Sequence, residues 1–217
     1  MFLKKKVALL ASMLVLNSWA GSVLAGESST TLTVQASLKP TSCDVTLTKP
    51  DLDFGVVRQG ETKTESTDLQ INCSNKTLVS VSVKDNNYEA EHNTTDNQFV
   101  LVDTDKKRQG SFSFKLGQLA MENDENEAAF ITSADGKTDS NTWSRVSEGY
   151  YLNHADSNAQ NKFLSVGNSK GKALNQLAPS AYKNYTFPLI VELTMGENAL
   201  TTGDKLLGNA TFDVTYI

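Results

Sequence analysis

The sequence predicts an all-β protein that folds as an antiparallel sandwich, and two observations support this prediction. Its apolar residues come in short runs that alternate with polar residues, which is the period of a strand with one buried face. Turn-forming residues separate these runs, as in Lys49-Pro50-Asp51, Asp85-Asn86-Asn87 and Ala134-Asp135-Gly136. Many short strands at this spacing are typical of a sandwich of two sheets.

The strand pattern recurs in segments along most of the chain. We place strands at 44–48, 68–73, 77–84, 98–102, 111–116, 128–132, 149–152, 162–166, 185–194 and 208–217. The stretch from about 86 to 180 is the least regular part. Pro188 lies inside 185–194 and lacks a backbone donor, so we expect it at an edge, a strand start or a bulge.

The first 25 residues are organised like a signal peptide. Lys4–Lys6 supply positive charge, Val7–Leu16 form an apolar run, and Ser22–Ala25 offer small residues for cleavage after Ala25. Cleavage after Ala20 fits as well. An uncleaved anchor is the alternative, but the apolar run is shorter than the roughly 20 residues that a spanning helix needs. The sequence therefore predicts an exported protein.

The exported part is acidic. The chain has 20 Lys and Arg against 25 Asp and Glu, and three of the lysines lie in the predicted signal peptide, so residues 26–217 carry a formal charge of −8. An acidic surface has no electrostatic reason to bind nucleic acid or anionic lipid. We therefore expect neither as a partner.

The chain has two cysteines, Cys43 and Cys73, and an exported protein is expected to join them in a disulfide. A catalytic dithiol would favour a Cys-x-x-Cys spacing, and a metal site would need further ligands. Closing a loop of this size stabilises the folded state by roughly 3–4 kcal/mol in the chain-entropy model. The disulfide is therefore expected to be structural.

Residues for catalysis are scarce, so we expect no enzyme, no cofactor and no metal site. The two histidines, His92 and His154, lie in polar, loop-like sequence, and the hydrolase, zinc-protease and phosphate-loop motifs are absent. The acidic run 122–127 departs from the spacing of a calcium loop and is better explained as a solvated surface.

Alternating segments stand near both ends of the exported part. Leu32–Leu38 precedes Cys43, and Ala210–Ile217 closes the sequence. Between them come Pro40-Thr41-Ser42-Cys43-Asp44-Val45, Leu52-Asp53-Phe54-Gly55-Val56 and Leu69-Gln70-Ile71-Asn72-Cys73, and Gly208 precedes the last run, whose penultimate residue is Tyr216. In this order, after an export signal, these features resemble the fimbrial (pilus) subunits of the bacterial chaperone–usher pathway. The resemblance covers both ends and leaves the middle largely unmatched.

The resemblance implies an incomplete immunoglobulin-like sandwich, the pilin fold, preceded by a donor-strand extension. On this interpretation 26–40 is the extension, and 41–217 is the pilin-type domain with an enlarged irregular middle, about 86–180. The donor side chains would be Leu32, Val34, Ala36 and Leu38, and Ala210, Phe212, Val214 and Tyr216 would line the acceptor groove and meet the chaperone. Ala36 stands where the family often has glycine.

The function implied is that of a structural fimbrial subunit that polymerises head to tail by donor-strand exchange and supports cell adhesion. Its partners would be other fimbrial subunits, a periplasmic chaperone and an outer-membrane usher, and it would travel through the periplasm to the cell surface. Main-chain hydrogen bonds give such strand addition its affinity, and alternate side chains give it specificity. Whether the subunit belongs to the shaft or the tip, and whether it has a host receptor, stays open.

One alternative is that residues 32–38 form the first strand of a complete sandwich, which would act as a secreted or periplasmic binding module for carbohydrate or a host-surface ligand. Trp143, Tyr150 and Tyr151 are residue types that stack on sugars, which makes them candidate ligand contacts. Buried aromatic packing is the simpler explanation of the same residues.

Overall fold

The computed structural model describes residues 41–88, 95–119, 128–138, 143–169, 177–197, 199 and 205–217. The predicted signal peptide, 1–25, and donor extension, 26–40, lie outside them. Within the described residues every assigned element of more than one residue is a strand: β1 Cys43–Leu47, β2 Thr62–Thr77, β3 Val79–Asp85, β4 Phe99–Val102, β5 Arg108–Leu116, β6 Ala128–Ser133, β7 Ser144–Arg145, β8 Phe163–Asn168, β9 Tyr182–Met195, β10 Leu207–Gly208 and β11 Ala210–Tyr216.

The strands form two antiparallel sheets. The six-stranded sheet has the order β1-β2-β9-β5-β4-β10, and the five-stranded sheet has the order β11-β3-β8-β6-β7. The all-β sandwich predicted from the alternating runs is confirmed. β2 begins earlier than predicted. All residues of Thr62–Thr67 are polar, which hides a strand that pairs with β9 from Thr62 to Asn72.

The core lies between the sheets and is built by alternation along each strand. On β9, Tyr185, Phe187 and Leu189 are buried, while the residues between them are half-buried on the outer face. The rings of Phe99 and Phe114, from β4 and β5, meet edge to face with centroids 5.0 Å apart. Burying side chains of this size stabilises the fold by about 1.5–3 kcal/mol each.

Pro188 corrects one expectation, because it lies in the middle of β9, which is a central strand of its sheet. Its carbonyl accepts a hydrogen bond from the amide of Gly117 at 2.9 Å. In an antiparallel ladder the N–H and C=O of one residue point to the same neighbour. The side of Pro188 that lacks an N–H therefore faces the chain just beyond Leu116. Because β5 has already ended there, no ladder bond is lost.

The predicted strand at 149–152 is instead part of a strap, residues 149–155, that joins the two sheets. The amides of Leu116 and Leu152 donate to the carbonyls of Tyr150 and Phe114, both at 2.8 Å. Three residues later the amide of Ala155 donates to the carbonyl of Val83, at 2.7 Å, in the other sheet. The segment leaves β5 too soon to form a strand of its own.

Part of the enlarged middle covers the outer face of the five-stranded sheet. Phe130 belongs to the main core, so its neighbour Ile131 points away from it and forms a second cluster with Trp143 and Leu177. The Trp143 indole N–H donates to the carbonyl of Lys137 at 2.8 Å. The sheet is thus covered on both faces at β6, which explains the continuous burial of this strand.

Candidate functional site

The two strands highlighted by the sequence lie on the same side of the sandwich. β1 is an edge of the six-stranded sheet, and β11 is an edge of the five-stranded sheet. They approach each other at one end, where the Cys43 amide donates to the Tyr216 hydroxyl at 3.3 Å. Among the described residues, β11 has a ladder partner only in β3. Its other backbone edge faces β1.

The two edges diverge from that point. Phe212 lies four residues before Tyr216 on the same face of β11. Its ring packs edge-on against Phe114 of β5, with centroids 5.0 Å apart. β5 is three strands away from β1 in the order of the sheet. At Phe212, β11 is therefore offset from β1 by three strand spacings across the width of the sheet, or about 14 Å. One additional strand needs about 10 Å between its two neighbours. We call the opening between these edges the groove.

Apolar residues on the inner face of the sandwich stay exposed at the groove. Val45 pairs with Ile71 and Tyr216 pairs with Val79, and both partners are fully buried in the core. Residues paired in register share a face of their sheet, so Val45 and Tyr216 also point inward. Yet Val45 is 42% exposed and Tyr216 is 51% exposed. The sandwich is uncovered at these positions.

β11 has the alternation expected of a strand that lines a cleft. Ala210, Phe212 and Val214 are half-buried against the core, whereas the residues between them, 211, 213 and 215, are exposed. The structure thus brings the four predicted acceptor residues to one face of one edge strand.

A segment after β1, residues 52–57, continues the opposite edge, and we call it the wall segment. Leu52 and Phe54 are half-buried against the core, while Val56 is 86% exposed. The backbone groups of Leu52–Phe54 form no ladder bonds to other described residues. Leu-x-Phe alternation was the available sequence signal, but the interposed Pro50 hid its continuity with β1.

The predicted disulfide is confirmed. Cys43 and Cys73 face each other in register across β1 and β2, and their sulfur atoms are bonded. The bond ties the edge strand β1 to its sheet at the end of the groove where Tyr216 contacts Cys43. The predicted donor residues Leu32, Val34, Ala36 and Leu38 lie outside the described residues.

The three candidate ligand-contact aromatics do not form a common surface. Trp143 has no exposed area and lies in the second cluster. Tyr150 is half-buried against the main core, and burial raises its pKa. Tyr151 donates its hydroxyl to Glu192 at 2.5 Å, and this hydrogen bond raises its pKa. Buried packing, the simpler explanation from the sequence, fits Trp143 and Tyr150.

The described residues contain no cluster of His, Cys, Asp and Glu suited to a metal ion. No helix in the same residues has the length and apolar character to cross a membrane.

No known family profile matches the chain, and no curated protein matches it. Among solved structures, it is similar to a chain from a chaperone–usher pilus structure described as revealing the molecular basis of rod uncoiling. The two are 12% identical, the match covers 91% of this chain and 100% of that one, and the TM-score is 0.34. At that level the function must be argued from this chain's own residues.

Proposed function

We propose that this protein is a structural subunit of a chaperone–usher fimbria that polymerises by donor-strand exchange. The observation that supports it most is the groove, where inner-facing Val45 and Tyr216 remain exposed between two strand edges that have no ladder partner among the described residues. A lone sandwich gains nothing from leaving core-facing apolar groups in water. An added strand would cover them and satisfy both edges.

The occupant we propose is residues 32–38 of the next subunit. Leu32, Val34, Ala36 and Leu38 alternate with polar residues, so they would share one face of a strand. Burying three large side chains and one small one contributes at most roughly 5–9 kcal/mol before the cost of ordering the segment. That free energy can hold subunits together without enzymatic chemistry.

The remaining parts of the proposal follow from this mechanism. A subunit with an unfilled groove would aggregate during export. A periplasmic chaperone would therefore cover β11 until the subunit is assembled at an outer-membrane usher. The Cys43–Cys73 disulfide is suited to an oxidising compartment on that route. The finished fibre would lie at the cell surface and support adhesion.

Deleting residues 27–38 tests the exchange directly. We expect the truncated subunit to form no fibres, because it has no strand to donate, yet to bind a synthetic peptide of residues 27–40 in its own groove. Fibre yield by electron microscopy and peptide binding by fluorescence anisotropy are the two measurements. Fibres built from the truncated subunit, or a full-length chain that stays a stable monomer unable to accept the peptide, would contradict the proposal.

Neighbouring residues of β1 offer a matched control for the acceptor side. Val45→Glu places a charge on the inner face at the groove, whereas Thr46→Glu places it on the outer face. Both positions are exposed, so neither change should prevent folding. We expect Val45→Glu to weaken peptide binding and Thr46→Glu to leave it unchanged.

A further inference from the structure

Lys63 occupies an unexpected position for a charged residue. It pairs in register with Leu193 of β9, which is buried in the main core, so its side chain starts on the inner face of the six-stranded sheet. Lysine at a core-facing position needs partners for its ammonium group, because leaving a charge unpaired there is costly.

The partners of Lys63 are backbone carbonyls of the wall segment. Its ammonium donates to the carbonyl of Phe54 at 3.0 Å and also to the carbonyl of Val56. In the described part of the chain the ion pairs are Lys49–Glu65 and Lys115–Glu192, so the contacts of Lys63 are with the wall segment and not with a carboxylate.

The other described contacts of the wall segment are mainly apolar. Leu52, Phe54 and Val57 pack against the core, and the Asp53 carboxylate accepts the amide of Gly55 at 2.8 Å. Gly55 has a φ of +60°, which lets the chain turn after Phe54. That turn is internal to the segment. The hydrogen bonds that fix the segment to β2 at this end come from Lys63.

We propose that Lys63 is a positioning residue for strand capture, holding residues 54–56 as the preformed second edge of the groove. This inference rests on the proposed strand exchange. With the ammonium in place, an incoming strand meets an ordered edge and does not have to order it on binding. Preorganisation of this kind raises affinity by removing an entropic cost.

Lys63→Met tests the inference in the mature full-length chain. Methionine keeps an unbranched stem on the core face and removes the three donors, while Lys63→Arg keeps donors at the same position. Lys49→Met is the matched control, since Lys49 lies near the same edge but pairs with Glu65 at 3.9 Å in an exposed position.

Two measurements separate positioning from general stability. Exchange of the Gly55 amide hydrogen, which is bonded to Asp53, should become about tenfold faster or more in Lys63→Met, because hydrogen bonds from a charged donor each change an equilibrium by about that factor. The association rate of a fluorescent peptide of residues 27–40 should fall in the same variant. Lys63→Arg should restore both, and Lys49→Met should change neither.

The outcomes distinguish this inference from the proposed function. If the wild-type chain neither polymerises nor binds the peptide, strand exchange itself is wrong. If the wild-type chain does both and Lys63→Met matches it in exchange and association rate, the role of Lys63 is overturned. A lowered thermal midpoint with unchanged peptide association would also overturn it, because Lys63 would then serve only the fold.

Discussion

At the scale of single residues, His154 is the side chain that the sequence places least well. Its loop-like surroundings suggest exposure, but it is 1% exposed and lies against Phe99 with ring centroids 5.7 Å apart. Its Nδ1 has no hydrogen-bond partner among the described residues. Burial lowers the pKa of His154 from its ordinary value of 6.5, while the nearby Asp85 carboxylate opposes that shift.

The pKa of Asp85, which lies near His154, is shifted in the opposite direction. Burial raises the pKa of Asp85 from 3.8, although amides of Val100 and Asn87 donate to its carboxylate at 2.8 and 2.9 Å and lower it. The bond from Val100 joins β3 to β4, so the carboxylate links the two sheets, whereas the bond from Asn87 is local.

Because the pKa of His154 is lowered in the folded protein, we expect the free energy of unfolding to fall in acid. Because the folded form resists protonation, the unfolded chain binds the proton first once the pH falls below about 6.5. The unfolding equilibrium constant should then rise by up to about tenfold per pH unit. Asp85 changes stability in the opposite direction, because its carboxylate takes up a proton more readily in the folded protein than in the unfolded chain. This effect lies at pH values above 3.8, the ordinary pKa of the group.

Denaturant titrations at several pH values between 7.5 and 5.5 measure this dependence. His154→Gln removes the titrating group and should flatten the curve relative to the wild-type chain, with His92 retained in both proteins. An unchanged slope in the variant would assign the pH dependence to other groups.

At the scale of elements, the enlarged middle acts as a cover for the sandwich. The strap, residues 149–155, joins the sheets, and Trp143 covers the outer face of the five-stranded sheet at β6 with Ile131 and Leu177. Alternation alone reveals one buried face of a strand. It does not show that a loop covers the second face.

Trp143 provides a simple test of this cover. The chain has two tryptophans, and Trp19 lies in the predicted signal peptide, so Trp143 should be the single tryptophan of the mature protein. We expect blue-shifted emission that acrylamide quenches poorly and that red-shifts on unfolding. Trp143→Ala should lower the free energy of unfolding by about 3–5 kcal/mol, and Trp143→Phe by less. Emission typical of a solvated indole in the folded protein would contradict the second cluster.

At the scale of the whole molecule, the groove is an opening between two sheet edges that are anchored at one end. β1 is held by the Cys43–Cys73 disulfide, and β11 reaches it through Tyr216. The edges separate toward Phe212 because β11 crosses the six-stranded sheet at an angle, so that Phe212 meets Phe114 of β5.

Removing the disulfide should destabilise the whole sandwich. The Cys43→Ala and Cys73→Ala double variant should lose about 3–4 kcal/mol of unfolding free energy, because its unfolded chain is no longer constrained by the closed loop. Denaturation curves with and without reductant measure the loss. Reductant should bring the wild-type protein close to the variant and leave the variant unchanged. Equal stability with and without the bond would contradict a structural role.

Several features of the candidate site could be predicted from the sequence, each from local information. The alternation of Ala210–Tyr216 predicted a strand with one buried face, and the two cysteines predicted the disulfide, whereas the place of that strand at a groove followed from the resemblance. Lys63 and Val45 were not identified. A lysine within a polar run carries no sign that it starts on a core face, and a lone valine carries no sign that its burial is incomplete.

The sequence by itself determined most of the strands, the disulfide and the all-β fold, because period, turn chemistry and cysteine usage act over a few residues or on composition. Only the tertiary structure decided that β1 and β11 face each other across an opening, that Trp143 is buried, and that the ammonium of Lys63 meets the carbonyls of Phe54 and Val56. Those facts depend on which strands become neighbours and at what angle they cross. The free energy of packing the whole sandwich settles both.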